Sequence, residues 1–565
     1  MARYLLAQYI HYRISILQSL EGYFVAEVKI GDSFGLDANA LAAMDMELAI
    51  NRIRSDLKTD FIFAPHLSFI YRKSKEFLIS SLESDLKSGK YTPGIPLQIE
   101  VPKTFRMPVD GTGRLGPAYS RPGSILLPND RLFYQSLADR AVPFINSALD
   151  SGRSFSHQLA QGDSPTMFLS TRKCWQDLQS KLSELSGNHS LKYVMKLDIA
   201  NYFGSINQHT LINVLEDSGY KPSYGKRLEA IFTRYTGDRS SRGILQGIYP
   251  SDLFGNFYMA PVDRFLKDSG VPSARYVDDI YVFVKSVDEA EKLLQNLIPF
   301  LRSYDLSLNE NKCRILPKNM LHTMEPDLEA LFNEAVDEIS AQVEDDDFEA
   351  DYGFQSEWDD EEEENEEDEE DSLSILATKA LFDSLDEYPG HEENVERFCL
   401  PLFAKAGSDY AISHVMSSFR KRPSMTQIYS AYLAKFIDGD PSIREFLSSE
   451  TSNPNSMDWQ RMWTMAGMLQ ADEPTDDEVK VALDIVIDGA RHETLRAVGA
   501  YFVGMHGDHG RRTHLRAAYS SMTPYIQSAT YAASRFWKGA EKSNAKAMWS
   551  GHGPLHVLIT EALKN

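Results

Sequence analysis

Residues 274–284 read ARYVDDIYVFV. Two adjacent carboxylates interrupt a run of β-branched and aromatic residues. Aspartate is depleted in strands, and neighbouring like charges repel. The apolar residues on either side predict two strands, with Asp278 and Asp279 in the tight turn of a hairpin. A bare Asp-Asp pair is most often an ordinary polar turn. Here Tyr276 and Ile280 hem it in, and an unneutralised carboxylate pair in a buried hairpin is costly.

A partner lies upstream. KYVMKLDIANYFGSIN (192–207) is an apolar strand that ends in Asp198. Alone, such an Asp is more often a turn or cap residue than a ligand. Beside Asp278 and Asp279 it makes the repulsion worse unless divalent cations bind. Carboxylate oxygens suit Mg²⁺, which keeps waters and substrate phosphates in its other positions. Two such ions about 4 Å apart activate a 3′ hydroxyl and stabilise leaving pyrophosphate; Mn²⁺ has the same donor preference. We expect Asp198, Asp278 and Asp279 to be catalytic metal ligands, with Asp278 bridging and Asp279 the weaker or water-mediated one.

Two further stretches flank the pair. In GILQGIYPSDLFGNFYM (243–259), Gly243, Gly247 and Pro250 force a loop before a helix. Gln246 there has an amide to offer a template strand, and Gly247 allows a base or sugar to approach closely. Alone, a Gln-Gly pair is weak evidence. In LSLNENKCRIL (306–316), Lys312 sits between a turn and a short strand. It has the chemistry to protonate pyrophosphate, although a lone lysine there is more often a surface residue.

Together these stretches resemble the palm of reverse transcriptases. YVDD matches the family's catalytic hairpin and DIANYF its first aspartate motif. LQG…PSDLFGNFY resembles the template-side motif, and LSLNENKC the one after the hairpin. RPGSILLPNDRLFYQSLADRAVP (121–143) resembles the fingers segment. The resemblance spans roughly 100–320 and implies an RNA-directed DNA polymerase, a nucleotidyltransferase using dNTPs and Mg²⁺. It implies that Phe203, five residues after Asp198, excludes a 2′ hydroxyl. It also implies that Arg121 and Arg131 contact the incoming triphosphate. Leu245, Ile248-Tyr249 and Gly204 depart from the family pattern and bear on how template is gripped. GTGRLG (111–116) fits a dinucleotide-binding pattern, but Pro117 follows and no helix starts there; it reads as a fingers loop.

The chain has 565 residues and a net charge of −24. Residues 344–371 hold 19 Asp and Glu with no Lys or Arg, leaving the remainder at only −5. A basic channel is therefore compatible with the rest. The acidic run reads as a disordered, solvated linker, or alternatively as a nucleic-acid mimic that closes the channel. Three separated cysteines and the absence of a signal-peptide core predict a reducing, cytoplasmic setting.

The expected organisation is N-terminal helices and fingers over 1–190, a palm over 191–320 and a connecting helix over 321–343. The acidic linker over 344–371 and an α-helical repeat domain over 372–565 follow. The fold class is thus an α+β right-hand polymerase, fingers and palm, joined to an all-α helical-repeat domain. HGDHGRRTH (506–514) reads as a polar turn between helices. A palm followed by a long helical domain resembles the bacterial abortive-infection and defence-associated reverse transcriptases. That likeness implies anti-phage defence, RNA or single-stranded DNA as partner, homo-oligomers built through the helical domain, and template-independent synthesis in some members. With 27 tyrosines, a priming hydroxyl is not picked out. A retron- or intron-like enzyme copying a dedicated RNA, and a helical scaffold with an inactive palm, are the alternatives.

Overall fold

The computed structural model describes residues 34–111, 114–237, 239–321, 331, 371–387 and 390–564. Apart from Leu321, Leu331 and Asp371, the connecting helix and acidic linker expected over 321–371 lie outside the described residues.

The N-terminal part opens with helices α1 (Ala38–Ala42), α2 (Met46–Asp56), α3 (Pro65–Lys73) and α4 (Lys75–Ser88). The helical periodicity over 38–57 and 66–88 is broken where Asp45 caps α2 by accepting from Leu48 N and where Ser74 separates α3 from α4. A long antiparallel hairpin follows, β1 (Leu97–Val109) and β2 (Arg114–Ile125). The GTGRLG stretch straddles its tip: Gly111 takes φ +74 in the turn and Gly116 lies in β2. Helix α5 (Pro128–Ala148) then runs through the core, and α6 (Thr171–Gly187) leads to the palm.

The palm is built from β3 (Tyr193–Asp198), α7 (Tyr202–Ser205), α8 (Gln208–Asp217), α9 (Pro222–Tyr235), α10 (Tyr249–Tyr258) and α11 (Ala260–Asp268). It is completed by β4 (Ser273–Tyr276), β5 (Asp279–Val284), α12 (Val287–Ser303) and β6 (Arg314–Pro317). The periodicity near 251–267 suggests one helix; the chain forms two, because Pro261 supplies no N–H and starts α11. The sheet order is β4-β5-β3-β6, antiparallel throughout. On one face, Val194, Tyr281 and Phe283 pack with Leu178 and Leu182 of α6. On the other, Met195, Leu197, Ile280 and Val282 join the main core. Residues 280–284 are therefore buried on both faces, which is why IYVFV reads as a continuous apolar run.

The C-terminal part is all-helical: α13 (Asp371–Asp383), α14 (Glu392–Lys405), α15 (Ile412–Ser418), α16 (Thr426–Ala434), α17 (Pro441–Ser452), α18 (Asp458–Met468), α19 (Asp476–Ile487), α20 (Glu493–His506), α21 (His509–Ala518), α22 (Pro524–Ala533), α23 (Gly539–Trp549) and α24 (Pro554–Ala562). Alternate helices α16, α18, α20, α22 and α24 pack successively into one row, with α17 and α19 outside it. This is the one-dimensional stacking of a solenoid. Only Gly507-Asp508 of the HGDHGRRTH stretch is a turn; Asp508 accepts from Arg511 N and starts α21.

The helical row is packed onto the α+β part. The indoles of Trp459 and Trp463 both donate to Phe61 O, at 2.6 and 3.1 Å. Thr104 Oγ1 donates to Glu393 Oε2 at 2.7 Å, and Arg106 Nη1 to Lys421 O at 2.8 Å. One buried apolar cluster runs from Leu78 and Leu132 to Phe502 and Ile559 without a break. No described helix is long and apolar enough to cross a membrane.

Candidate active site

The register of β3 and β5 sets the carboxylates. Asp198 and Asp279 are direct cross-strand partners, and Tyr276 pairs with Asp279 on the other side. The hairpin turn therefore falls on Val277-Asp278, one residue before the expected Asp278-Asp279 turn. Val277 takes φ +52, a region a β-branched residue rarely enters. Its N–H donates to Ser156 Oγ at 2.8 Å, and its carbonyl accepts from Arg275 Nη1 at 2.8 Å.

Arg275 fastens the hairpin. Its guanidinium is buried, reaches Asp263 Oδ2 at 2.7 Å and also donates to Asn256 Oδ1 and Ser154 Oγ. The strain at the tip is thus held by α10, α11 and the segment before α6. Ser154, Ser156, Asn256 and Asp263 have no local sequence signal for this role, because they converge only in the folded chain.

Asp198 is nearly buried. Lys312 Nζ donates to its Oδ1 at 2.8 Å and Asn309 Nδ2 to its Oδ2 at 2.9 Å. The Asp278 carboxyl is pushed up to about 7, first by burial and then by the charges of Asp279 and Asp198. Burial opposes the Lys312 charge, but its bond to Asp198 wins and holds the ammonium above its ordinary value. Among the described residues, no three His, Cys, Asp or Glu side chains are arranged to hold an ion as they stand. The donor set nevertheless fits a hard divalent cation: Asp198 at the end of β3 faces Asp279 at the start of β5 beside Asp278, and burial together with their charges raises Asp278. Asp198, Asp278 and Asp279 would hold it, with Asp198 released from Lys312. When bound, such a cation activates a hydroxyl nucleophile and offsets charge on the leaving group.

Phe203 lies on α7, where its ring sits against α10; a Cβ on Gly255 would come within 2.8 Å of Phe203 Cε1. Gly204 packs against the Asn201 side chain and, across the loop, Gly243, so a larger residue there would displace the Asn201 amide. Leu245 and Ile248 are buried in the core, and Tyr249 N donates to Asp56 Oδ2 at 2.9 Å.

Gly247 takes φ +75, and a Cβ there would collide with the Phe61 ring. The space that a Cβ would take at Gly247 is filled by the Phe61 ring. Phe61 in turn lies under Arg121, whose Cζ is 4.4 Å from the ring centroid. Gln246 sits half-buried in the same loop. Arg131 departs from expectation. It is buried, with Nη1 and Nη2 on Asp60 at 2.6 and 2.8 Å and Nη2 also on Asp56 at 2.8 Å. Both acceptors come from the segment around α2, so Arg131 ties α5 to α2 and does not face a nucleotide.

Comparison with protein families matches residues 121–324 to the model described as reverse transcriptase (RNA-dependent DNA polymerase). The matched segment has the α+β fold of a palm and fingers. All three carboxylates, Phe203, Gln246, Lys312 and Arg121 fall inside the matched segment, and the helical domain falls outside it. Among solved structures, the chain is similar to telomerase from Candida albicans in complex with a fragment of telomeric RNA. The identity is 12%, the coverage 66% of this chain and 69% of that one, and the TM-score 0.28. Telomerase from Candida tropicalis with the same type of fragment gives 13%, 66%, 67% and 0.28. Likeness at that level says nothing about what this chain binds. Comparison with the curated proteins found no match.

Proposed function

We propose that the chain is a Mg²⁺-dependent reverse transcriptase that adds dNTPs, on an RNA template or without one, in bacterial anti-phage defence. The observation that carries the polymerase reading is the placement of Asp198 directly opposite Asp279, with Asp278 beside Asp279 in the braced β4–β5 turn, inside the segment matched to the family. In this reading Lys312 leaves Asp198 when cations arrive and turns to the pyrophosphate. Phe203 faces the sugar, and Arg121 faces the triphosphate. The defence role rests on the coupling of a palm to a helical solenoid. Cytoplasmic location and self-association through the helical domain belong to the same reading.

The test is incorporation of labelled dNTPs by the purified chain with Mg²⁺, with and without RNA, followed by sequencing of product and co-purified nucleic acid. The wild type makes DNA and Asp278→Ala makes none; normal synthesis by the variant would refute the site. A product copied from one structured RNA would favour a retron- or intron-like enzyme. Equal phage plating on cells carrying wild type or Asp278→Ala would remove the defence role.

A further inference from the structure

The seam between the α+β part and the helical row holds a cavity of about 220 Å³. One wall comes from the stretch between α2 and the end of α3, with Phe63 and Arg72. The other comes from α18, α20 and the short turn Ser534–Phe536 after α22, with Trp463, Tyr501 and Arg535. Phe63 and Trp463 meet across the seam with ring centroids 5.9 Å apart. The Arg535 guanidinium crosses it too: its Cζ is 4.6 Å from the Phe69 ring of α3 and 4.6 Å from the ring of Phe536. Arg72 follows Phe69 by three residues on α3, a spacing that makes the two side chains neighbours on the helix surface. Arg72 and Arg535 thus reach one cavity from the two halves, and both line it.

The lining carries three cations, Lys58, Arg72 and Arg535, against one carboxylate, Asp60. Asp60 is already committed, since Arg131 donates to both of its oxygens at 2.6 and 2.8 Å. Asp56, which also takes Arg131, does not line the cavity. The two arginines are half-buried, whereas Lys58 and Gln470 are exposed and mark the mouth. Half-buried guanidiniums in excess over carboxylates favour an anion, and their fork geometry matches phosphate.

Size and rings say which anion. An engineered cavity of about 150 Å³ holds benzene, so this one has room for a larger planar ring system. Phe63, Trp463, Tyr501 and Phe536 supply aromatic surface, and Gln470 an amide for a ring edge. Aromatic side chains beside cations are what a base and its phosphate require. Room for one base suits a single nucleotide rather than a strand. Asp198, Asp278, Asp279, Phe203 and Arg121 do not line the cavity, so it is separate from the candidate active site. We propose that the seam cavity binds a free nucleoside phosphate, with its base among the aromatic rings, its phosphate on Arg72 and Arg535, and Lys58 at the mouth. The site does not depend on the polymerase reading.

The experiment uses the full chain in EDTA, so that no metal-dependent site contributes. The probes are AMP, GMP, CMP and UMP, each tested singly by calorimetry, with the matching nucleosides and inorganic phosphate. At least one monophosphate should bind more than tenfold more tightly than its nucleoside or phosphate alone, and should raise the melting temperature, since it holds both halves. Arg72→Gln should weaken that binding about tenfold, and Arg535→Lys several-fold, since lysine keeps the charge but not the fork. Lys58→Ala, at an exposed position that leaves folding untouched, should weaken it a few-fold; Arg121→Ala should leave it within about twofold. Wild type that binds none of the four would overturn the inference, as would wild-type affinity in Lys58→Ala and a folded Arg72→Gln. A loss in Arg121→Ala equal to that in Arg72→Gln would move the nucleotide to the fingers and overturn it. Binding of a short oligoadenylate without binding of any monophosphate would give the cavity to a strand and overturn it too.

Discussion

Lys312 Nζ rests 2.8 Å from Asp198 Oδ1 and so places a side-chain cation among carboxylates suited to a metal ion. The two cations compete for one oxygen. Lys312→Met should therefore tighten Mg²⁺ binding several-fold in calorimetry without nucleotide. It should also slow incorporation on the order of 10²-fold, as the leaving pyrophosphate loses its acid. Unchanged Mg²⁺ affinity would show that the lysine does not compete.

His66 gives the fold a pH dependence away from the active site. Neither ring nitrogen has a partner, and the ring packs edge-on against Tyr525 at 4.7 Å. Burial, and then the charge of His556, lower its pKa from 6.5 to about 3. Between those values the unfolded chain takes up a proton that the folded chain refuses, so stability is lost as pH falls. At pH 5 the loss is about 2 kcal/mol. His66→Phe should shrink the fall in melting temperature between pH 7 and pH 5; an unaltered fall would refute it.

Gly247→Ala meets two obstacles. Left-handed backbone costs about 1–2 kcal/mol, and the new methyl pushes on the Phe61 ring under Arg121. Gly237→Ala carries the same kind of strain, at φ +68, with no atom within 4 Å. Both variants should melt earlier, but only Gly247→Ala should raise KM for dNTPs. Equal KM values in the two would separate Phe61 from nucleotide binding.

Phe203→Ala opens space beside Gly255. Ribonucleotide incorporation relative to deoxynucleotide should rise, on the order of 10²-fold, measured by single-nucleotide extension. An unchanged ratio would place sugar selection elsewhere.

The carboxylate arrangement was readable because Asp198 and Asp279 end apolar runs whose strand character is strong. The turn was not, by one residue. Rules for tight turns disfavour a β-branched residue at positive φ, while Ser156 and Arg275 hold Val277 there from a distance. Arg131 was misplaced for a similar reason: Asp56 and Asp60 lie 75 and 71 residues away in sequence, and no local pattern joins them. The helices after residue 371 were legible from spacing. Their docking on Phe61 through Trp459 and Trp463 was not, because periodicity tells which face is apolar and not what covers it.

The unbroken apolar cluster shared by the two halves makes them thermodynamic partners. Heating should give one cooperative transition rather than two. A protease cut within 344–371 should leave fragments that co-purify, and the halves expressed as separate chains should reassemble. Either half made alone would expose the surface that the other now keeps from water. With those outcomes the helical part would be a folding requirement for the α+β half as well as its neighbour.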